Sequence, residues 1–232
     1  MSKTRVKICG VSTLEVVEAA IAAGADLLGF VHFARSPRHV SLEAAAALMA
    51  HAKALGRVET VLLLVDPSDD LLDAVERTLS PDILQLHGHE TPARVEAVAR
   101  RGRWTVWKAC PVASRADVAS AVAYHAPGTR ADLVLFDAKP PADPAALPGG
   151  NGLAFDWRIL DSISGRMPFA LAGGLTPENV ADAIQLTGPD IVDVSSGVEC
   201  RPGVKSLELV RRFIAAAGSA ERPPRPSMQE RP

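Results

Sequence analysis

Cys9 and Asp137 end two apolar segments, Arg5-Val6-Lys7-Ile8-Cys9 and Asp132-Leu133-Val134-Leu135-Phe136-Asp137. A thiol and a carboxyl can each give or take a proton, so the pair suits acid–base chemistry on a small molecule. Two small-residue turns, Gly173-Gly174 and Ser195-Ser196-Gly197, end other apolar segments. Bare glycine backbone lets amides approach an anion and serine hydroxyls add donors, which is the chemistry of a phosphate cradle. Arg35 and Arg38 supply planar cations, while Gln85, His87, Asp66 and Asp193 are polar groups at further segment ends. Each residue also has a plainer reading. Cys9 alone reads as a small buried hydrophobe, Asp137 as a cap or a partner of Lys139, and the glycines as tight turns.

His87-Gly88-His89 offers two imidazoles without obvious carboxylate ligands beside them, so no metal is expected. The three cysteines, Cys9, Cys110 and Cys200, are far apart and form no C-x-x-C pair. That pattern argues for reduced thiols rather than a disulfide framework, with Cys110 and Cys200 as packing residues.

The candidate residues share a position, the C-terminal end of a strand-like run. Runs rich in Val, Ile and Leu fall at 5–9, 26–31, 58–65, 82–86, 104–109, 132–136, 168–172 and 190–194, starting about 26 residues apart on average. Near-continuous apolar runs are the mark of parallel strands covered on both faces, and that spacing leaves room for one helix between each pair. Helix signals fill the gaps. Ser41 caps a segment with Leu42, Ala45, Leu48, Met49, Ala52 and Leu55 at helical spacing, closed by Gly56. Thr91-Pro92 and Thr176-Pro177 each place a cap before proline at a first helical position, and a last helix is predicted from Val204 to Gly218. Eight such pairs predict a single α/β domain, a (β/α)8 TIM barrel over residues 1–217, with the active site on the loops after the strands. An open doubly wound sheet is the competitor, but Cys9-Gly10-Val11-Ser12 stands where its G-x-G-x-x-G would follow the first strand. Residues 138–154, rich in proline and glycine, form a long loop of the kind that serves as a lid. Residues 218–232 are proline-rich with few aliphatic side chains and predict a flexible tail.

Composition narrows the partners. The chain of 232 residues is 47% hydrophobic with a formal net charge of −2, enough to bury one substantial core and too neutral to attract nucleic acid or an anionic membrane surface. Its longest apolar runs, such as Val61-Leu62-Leu63-Leu64-Val65, are far shorter than a membrane span. The N-terminal residues run straight into a strand without an apolar leader, which predicts a cytoplasmic protein.

Seven ordered motifs resemble the phosphoribosylanthranilate isomerase family over residues 5 to about 215. They are Lys7-Ile8-Cys9-Gly10; Gly29-Phe30-Val31 leading to Ser36-Pro37-Arg38-His39-Val40; Leu84-Gln85-Leu86-His87-Gly88; and Leu135-Phe136-Asp137. The others are Gly149-Gly150-Asn151-Gly152 with Phe155-Asp156-Trp157; Leu171-Ala172-Gly173-Gly174-Leu175 with Asn179-Val180; and Asp193-Val194-Ser195-Ser196-Gly197-Val198-Glu199 with Pro202-Gly203.

The resemblance implies a cofactor-free enzyme of tryptophan biosynthesis that rearranges N-(5-phosphoribosyl)anthranilate to the corresponding ribulose derivative. It assigns Cys9 as the general base and Asp137 as the general acid. Arg38 is implied to meet the anthranilate carboxylate, and Gly173, Gly174, Ser195, Ser196 and Gly197 to hold the phosphate. Asp193 is implied as a supporting carboxylate, with Gln85 and His87 on the substrate's side. The expected partner is a phosphorylated small molecule; the sequence leaves the oligomeric state open, with a monomer the favoured reading. Two positions depart from the family: Asp66 stands where asparagine is frequent, and Lys205-Ser206 replaces a frequent Lys-Asp. The rivals are a barrel resembling indole-3-glycerol-phosphate synthase, with Lys108 as its lysine, and a noncatalytic phosphate-sugar binding barrel.

Overall fold

The apolar runs become strands, and the computed structural model, which describes residues 3–125, 131–140 and 147–223, closes them into a ring. β1 (Arg5–Cys9), β2 (Leu27–His32), β3 (Glu59–Leu64), β4 (Ile83–Leu86), β5 (Thr105–Val112), β6 (Leu133–Ala138), β7 (Phe169–Leu171) and β8 (Ile191–Val194) pair in parallel, each with the next, and β8 returns to β1. The expected closed barrel is therefore the observed one.

Side chains of a barrel strand alternate between the interior and the helix layer. Leu27, Val61, Ile83, Trp107, Leu133, Leu135, Ala170 and Ile191 pack into an interior cluster distinct from the larger one beneath the helices. The same parity, continued toward the C-terminal ends, carries Lys7 and Cys9, Gln85 and His87, Asp137 and Asp193. A two-residue step from an interior anchor such as Leu135 or Ile191 is what aims Asp137 and Asp193 into the barrel mouth.

The N-terminal end has its own order. Asp26, Asp82, Asp132 and Asp190 each precede an even-numbered strand and accept the amide of the preceding odd one: Val6, Thr60, Val106 and Phe169, at 2.8, 2.8, 2.7 and 3.1 Å. The sequence repeats accordingly, as Ala-Asp-Leu-Leu, Pro-Asp-Ile-Leu, Ala-Asp-Leu-Val and Pro-Asp-Ile-Val, about 55 residues apart. The barrel is thus built from four similar two-strand units, each stitched at its base by one aspartate.

Among the described residues seven α-helices surround the ring: α1 (Leu14–Ala23), α2 (Leu42–Leu55), α3 (Asp69–Thr78), α4 (Pro92–Ala99), α5 (Arg115–Val122), α6 (Val180–Thr187) and α7 (Leu207–Ser219). Ser41 and Thr91 cap α2 and α4 by accepting the amides of Ala44 and Arg94, as their sequence predicts.

Four expectations are corrected. Thr176-Pro177 opens a turn, because Asn179 accepts the Thr176 amide through its side chain and donates to the Gly174 carbonyl, so α6 starts only at Val180. Val204 and Lys205 belong to a two-strand hairpin, β9 (Glu199–Arg201) with β10 (Val204–Lys205), and Ser206 caps the last helix after it. Between β6 and β7 the described residues hold a single 3-10 turn, Trp157–Leu160, instead of an eighth α-helix. The tail expected from residue 218 begins later. α7 reaches Ser219, and Arg222 docks on the barrel base, donating to the Gly188 carbonyl at 3.0 Å and pairing with Asp190 at 3.0 Å. The remainder of that tail, 224–232, and the middle of the long loop, 141–146, lie outside the described residues.

Candidate active site

One cavity of about 780 Å³, counting its open mouth, sits at the C-terminal ends of the strands. Cys9, Arg38, His87, Asp137, Gly173, Gly174, Asp193, Ser195, Ser196 and Gly197 all line it. Gln85 lies beneath, fully buried under His87. Val31, Phe33, Leu63 and Val65 form an apolar wall beside Cys9, a surface suited to an aromatic ring.

Cys9 ends β1 and is almost fully buried. Burial pushes its thiol above the ordinary value, against the pull of Lys7. Lys7, two residues earlier on the same face, has no exposed surface and places its ammonium 3.0 Å from Asp193 Oδ2. Burial works against that charge, but Asp193 and Cys9 outweigh it and hold Lys7 above its ordinary value. Asp193 is raised by burial, with Lys7 opposing, and its second oxygen, Oδ1, has no hydrogen-bond partner among the described residues.

Asp137 stands across the mouth on β6. Its Oδ1 accepts the Ala138 amide at 2.8 Å, and its Oδ2 lies 3.3 Å from His87 Nε2. Gln85 Nε2 lies 3.1 Å from His87 Nδ1. Lys139 turns away and pairs with Asp117 at 3.7 Å, so the plain reading of Asp137 as its partner is corrected. Gly149 lies over the acid: a Cβ there would fall 2.7 Å from both Asp137 Oδ2 and His87 Nε2. The described part of the long loop, from Leu147 to Leu153, therefore forms one wall of the cavity.

Arg38 is buried and gives its Nε–Nη2 edge to Glu199, at 2.7 and 2.9 Å. Its Nη2 also donates to the Gly150 carbonyl at 3.3 Å. Glu199 accepts Lys205 at 2.8 Å, and Lys205 donates to the Ser195 carbonyl at 2.9 Å and to its hydroxyl at 3.2 Å. Burial opposes the Glu199 charge, yet Arg38 and Lys205 hold its carboxyl below the ordinary value; Lys205 is lowered by burial in spite of Glu199. Gly173 and Gly174 adopt successive left-handed conformations, φ 85° and 65°, and among the described residues neither amide has a hydrogen-bond acceptor.

The sequence motifs contain Lys7 and Glu199, and Lys205 is noted there as a departure from the family, but none of the three is assigned a role from the sequence. The period-two parity from Lys7 to Cys9 was the available signal for Lys7. Nothing in the local sequence signals the Arg38–Glu199 pair, which joins residues 161 positions apart. Asp66 stands outside the cavity lining, and its carboxylate accepts the His89 amide at 2.6 Å. His89 is exposed while His87 points inward, so the two imidazoles do not converge. Lys108, the lysine offered to the lyase rival, is buried behind β4 and pairs with Glu90 at 2.9 Å. It also donates to the Gly88 carbonyl at 2.8 Å and does not line the cavity.

A closed (β/α)8 barrel whose strand ends gather a thiol, a carboxyl, a buried arginine and two glycine- and serine-rich turns around one cavity has the architecture of an enzyme of the TIM-barrel class. Residues 6–216 match the family described as N-(5'phosphoribosyl)anthranilate (PRA) isomerase. The chain belongs to that family of intramolecular isomerases. The N-(5'-phosphoribosyl)anthranilate isomerase of Azorhizobium caulinodans is 54% identical over 222 residues, 96% of this chain and 95% of that one. Its counterpart in Parvibaculum lavamentivorans is 52% identical, over 93% of this chain and 99% of that one. The crystal structure of phosphoribosyl anthranilate isomerase from Thermotoga maritima superposes with a TM-score of 0.80 at 33% identity, covering 92% of this chain and 98% of that one. A structure of such an isomerase in complex with reduced 1-(o-carboxyphenylamino)-1-deoxyribulose 5-phosphate reaches 0.78 at 32% identity, with the same coverage. Among the described residues no helix is long and apolar enough to cross a membrane.

Proposed function

We propose that this chain converts N-(5'-phosphoribosyl)anthranilate to 1-(2-carboxyphenylamino)-1-deoxyribulose 5-phosphate, with Asp137 as general acid and Cys9 as general base. The observation that carries these roles is that the two groups, at the ends of the non-adjacent strands β1 and β6, line one cavity together with Arg38 and the glycine–serine turns. Asp137 gives its proton to the furanose ring oxygen, the bond from that oxygen to C1' breaks, and the nitrogen lone pair forms an iminium. The Cys9 thiolate then removes the C2' proton, and the released electron pair neutralises the iminium to an enolamine that tautomerises to the ketone. Proton donor and acceptor sit apart, so neither quenches the other.

Arg38 receives the anthranilate carboxylate on the guanidinium edge that Glu199 leaves open, next to the apolar wall that takes the ring. Gly173, Gly174, Ser196 and Gly197 receive the phosphate, while Ser195, which donates to the Cys9 carbonyl at 3.1 Å, ties that loop to β1. Asp193 supports the base through Lys7, and His87 with Gln85 supports the acid.

The enzyme acts in the cytoplasm as a monomer, with β1 to β8 and the helices through Ser219 as the catalytic barrel. Leu14, Leu55, Leu153, Leu186 and Val204 are the large apolar side chains left exposed among the described residues, and they lie on separate elements rather than in one patch. A structure from Thermotoga maritima is of monomers generated from a dimeric isomerase, so light scattering on this chain decides the point.

The test generates the substrate in place from anthranilate and phosphoribosyl pyrophosphate and follows the loss of its fluorescence. Turnover by the wild type is expected; its absence overturns the function. Wild-type turnover by both Cys9→Ala and Asp137→Asn overturns the assigned roles.

A further inference from the structure

Among the described residues Lys7 is the largest fully buried side chain, and an ammonium in a barrel core is costly unless it is paired. Its stated partner is Asp193, 3.0 Å away, a bond that ties β1 to β8. The pairing leaves Lys7 turned toward a second group as well. A Cβ placed on Gly29 of β2 would fall 2.9 Å from Cys9 Sγ and 3.1 Å from Lys7 Nζ and Cε. Thiol and ammonium therefore converge on the space that glycine leaves open. The groups facing Cys9 from the surrounding elements are Asp193 on β8, Lys205 on β10, Arg38 beside Gly10, and Asp137 and His87 across the cavity. Lys7 is the cation among them with the greatest pull on the thiol.

We propose that Lys7 is the positioning residue of the base: its ammonium is shared between Asp193 and Cys9, and from the end of β1 it favours ionisation of the sulfur against the burial that opposes it. The inference rests on the reading of Cys9 as the base. When the thiol ionises in the free enzyme its proton leaves to solvent, and the new anion competes with Asp193 for one ammonium. Asp193 is then a brake on Cys9 as well as the anchor of Lys7. It keeps the lysine charged and in place while claiming part of its field.

This sharing predicts opposite signs for two substitutions. Lys7→Met removes the cation and raises the pH at which Cys9 ionises. Asp193→Asn keeps the shape, removes the competing anion and lowers that pH. Each shift is expected to be about one unit or more, the scale set by a charge within about 4 to 6 Å. Lys7→Met leaves Asp193 buried without its cation, so Lys7→Met/Asp193→Asn serves as the variant in which no unpaired charge remains. Its midpoint should lie above wild type and at or below that of Lys7→Met.

The experiment titrates the ultraviolet thiolate absorbance of each folded variant and subtracts the same variant carrying Cys9→Ala, which removes the contributions of Cys110 and Cys200. The limb of kcat/KM that rises with pH is measured in parallel and should move with each titration. Midpoints that stay at the wild-type value, or that move the same way in Lys7→Met and Asp193→Asn, overturn the proposal. The base assignment fails separately, if Cys9→Ala retains wild-type turnover whatever the titrations show.

Discussion

The two ends of the barrel use aspartate in opposite ways. At the N-terminal end, Asp26, Asp82, Asp132 and Asp190 are at least partly exposed, and each accepts a strand amide within 3.1 Å. At the C-terminal end, Asp137 and Asp193 are buried, and Asp193 Oδ1 and Gln85 Oε1 have no hydrogen-bond partner among the described residues. A solvated carboxylate with its hydrogen bonds made contributes stability at little desolvation cost, whereas a buried oxygen left unpaired costs stability and is available to a ligand. The comparison separates the end that holds the ring closed from the end that is held ready for chemistry.

The largest effect that tests this contrast lies at the mouth. Cys9→Ala and Asp137→Asn should each lower kcat/KM by about 10²- to 10⁴-fold, the scale of one acid or base. Urea denaturation of the same variants should show stability held or slightly increased, and a large loss of stability would break the contrast. Next is Arg38→Ala, which removes a charge-assisted contact worth about 1.5 to 3 kcal/mol and should raise KM roughly 10- to 100-fold with a smaller change in kcat. Arg38→Lys should not rescue it, since a point charge cannot keep the two-pronged bond to Glu199 while facing substrate.

Smaller and opposite in kind are the base variants. Asp132→Ala and Asp190→Ala should each lower stability by about 1 kcal/mol, with kcat/KM unchanged in steady-state assays. The smallest effect is one of pH. Because Glu199 is held below the ordinary 4.5, it contributes stability above that value and loses it as pH falls through its lowered pKa. Denaturation midpoints followed downward from neutral pH should show Glu199→Gln starting lower and declining less in the acid range.

The ring was legible because burial on both faces gives each strand an unbroken apolar run, and the eight predicted runs coincide with β1 to β8. Cys9 and Asp137 were legible for a related reason, since the residue that ends an interior-facing row must emerge at the mouth. Helix starts fared less well. The Thr-Pro signal holds at Thr91 but is overridden at Thr176, where Asn179 offers the backbone a tighter turn. Val204 and Lys205 fit a helical pattern and form a hairpin strand instead, with Lys205 turned to Glu199. Ion pairs across distant segments, Arg38 with Glu199 and Lys108 with Glu90, depend on loop paths that no local pattern encodes. The fourfold Asp repeat was present in the sequence throughout, but its meaning depends on strand pairing, which periodicity does not reveal.

The docking of Arg222 on Gly188 and Asp190 fixes where the chain leaves the barrel: beside the N-terminal ends of β7 and β8, on the face turned away from the cavity. A carrier protein, dye or surface tether joined directly after Pro223, in place of residues 224–232, therefore starts on the side opposite the cavity. Immobilised through that end, the barrel presents its open mouth outward, an orientation that suits flow-through catalysis or tandem fusion to an enzyme supplying its substrate.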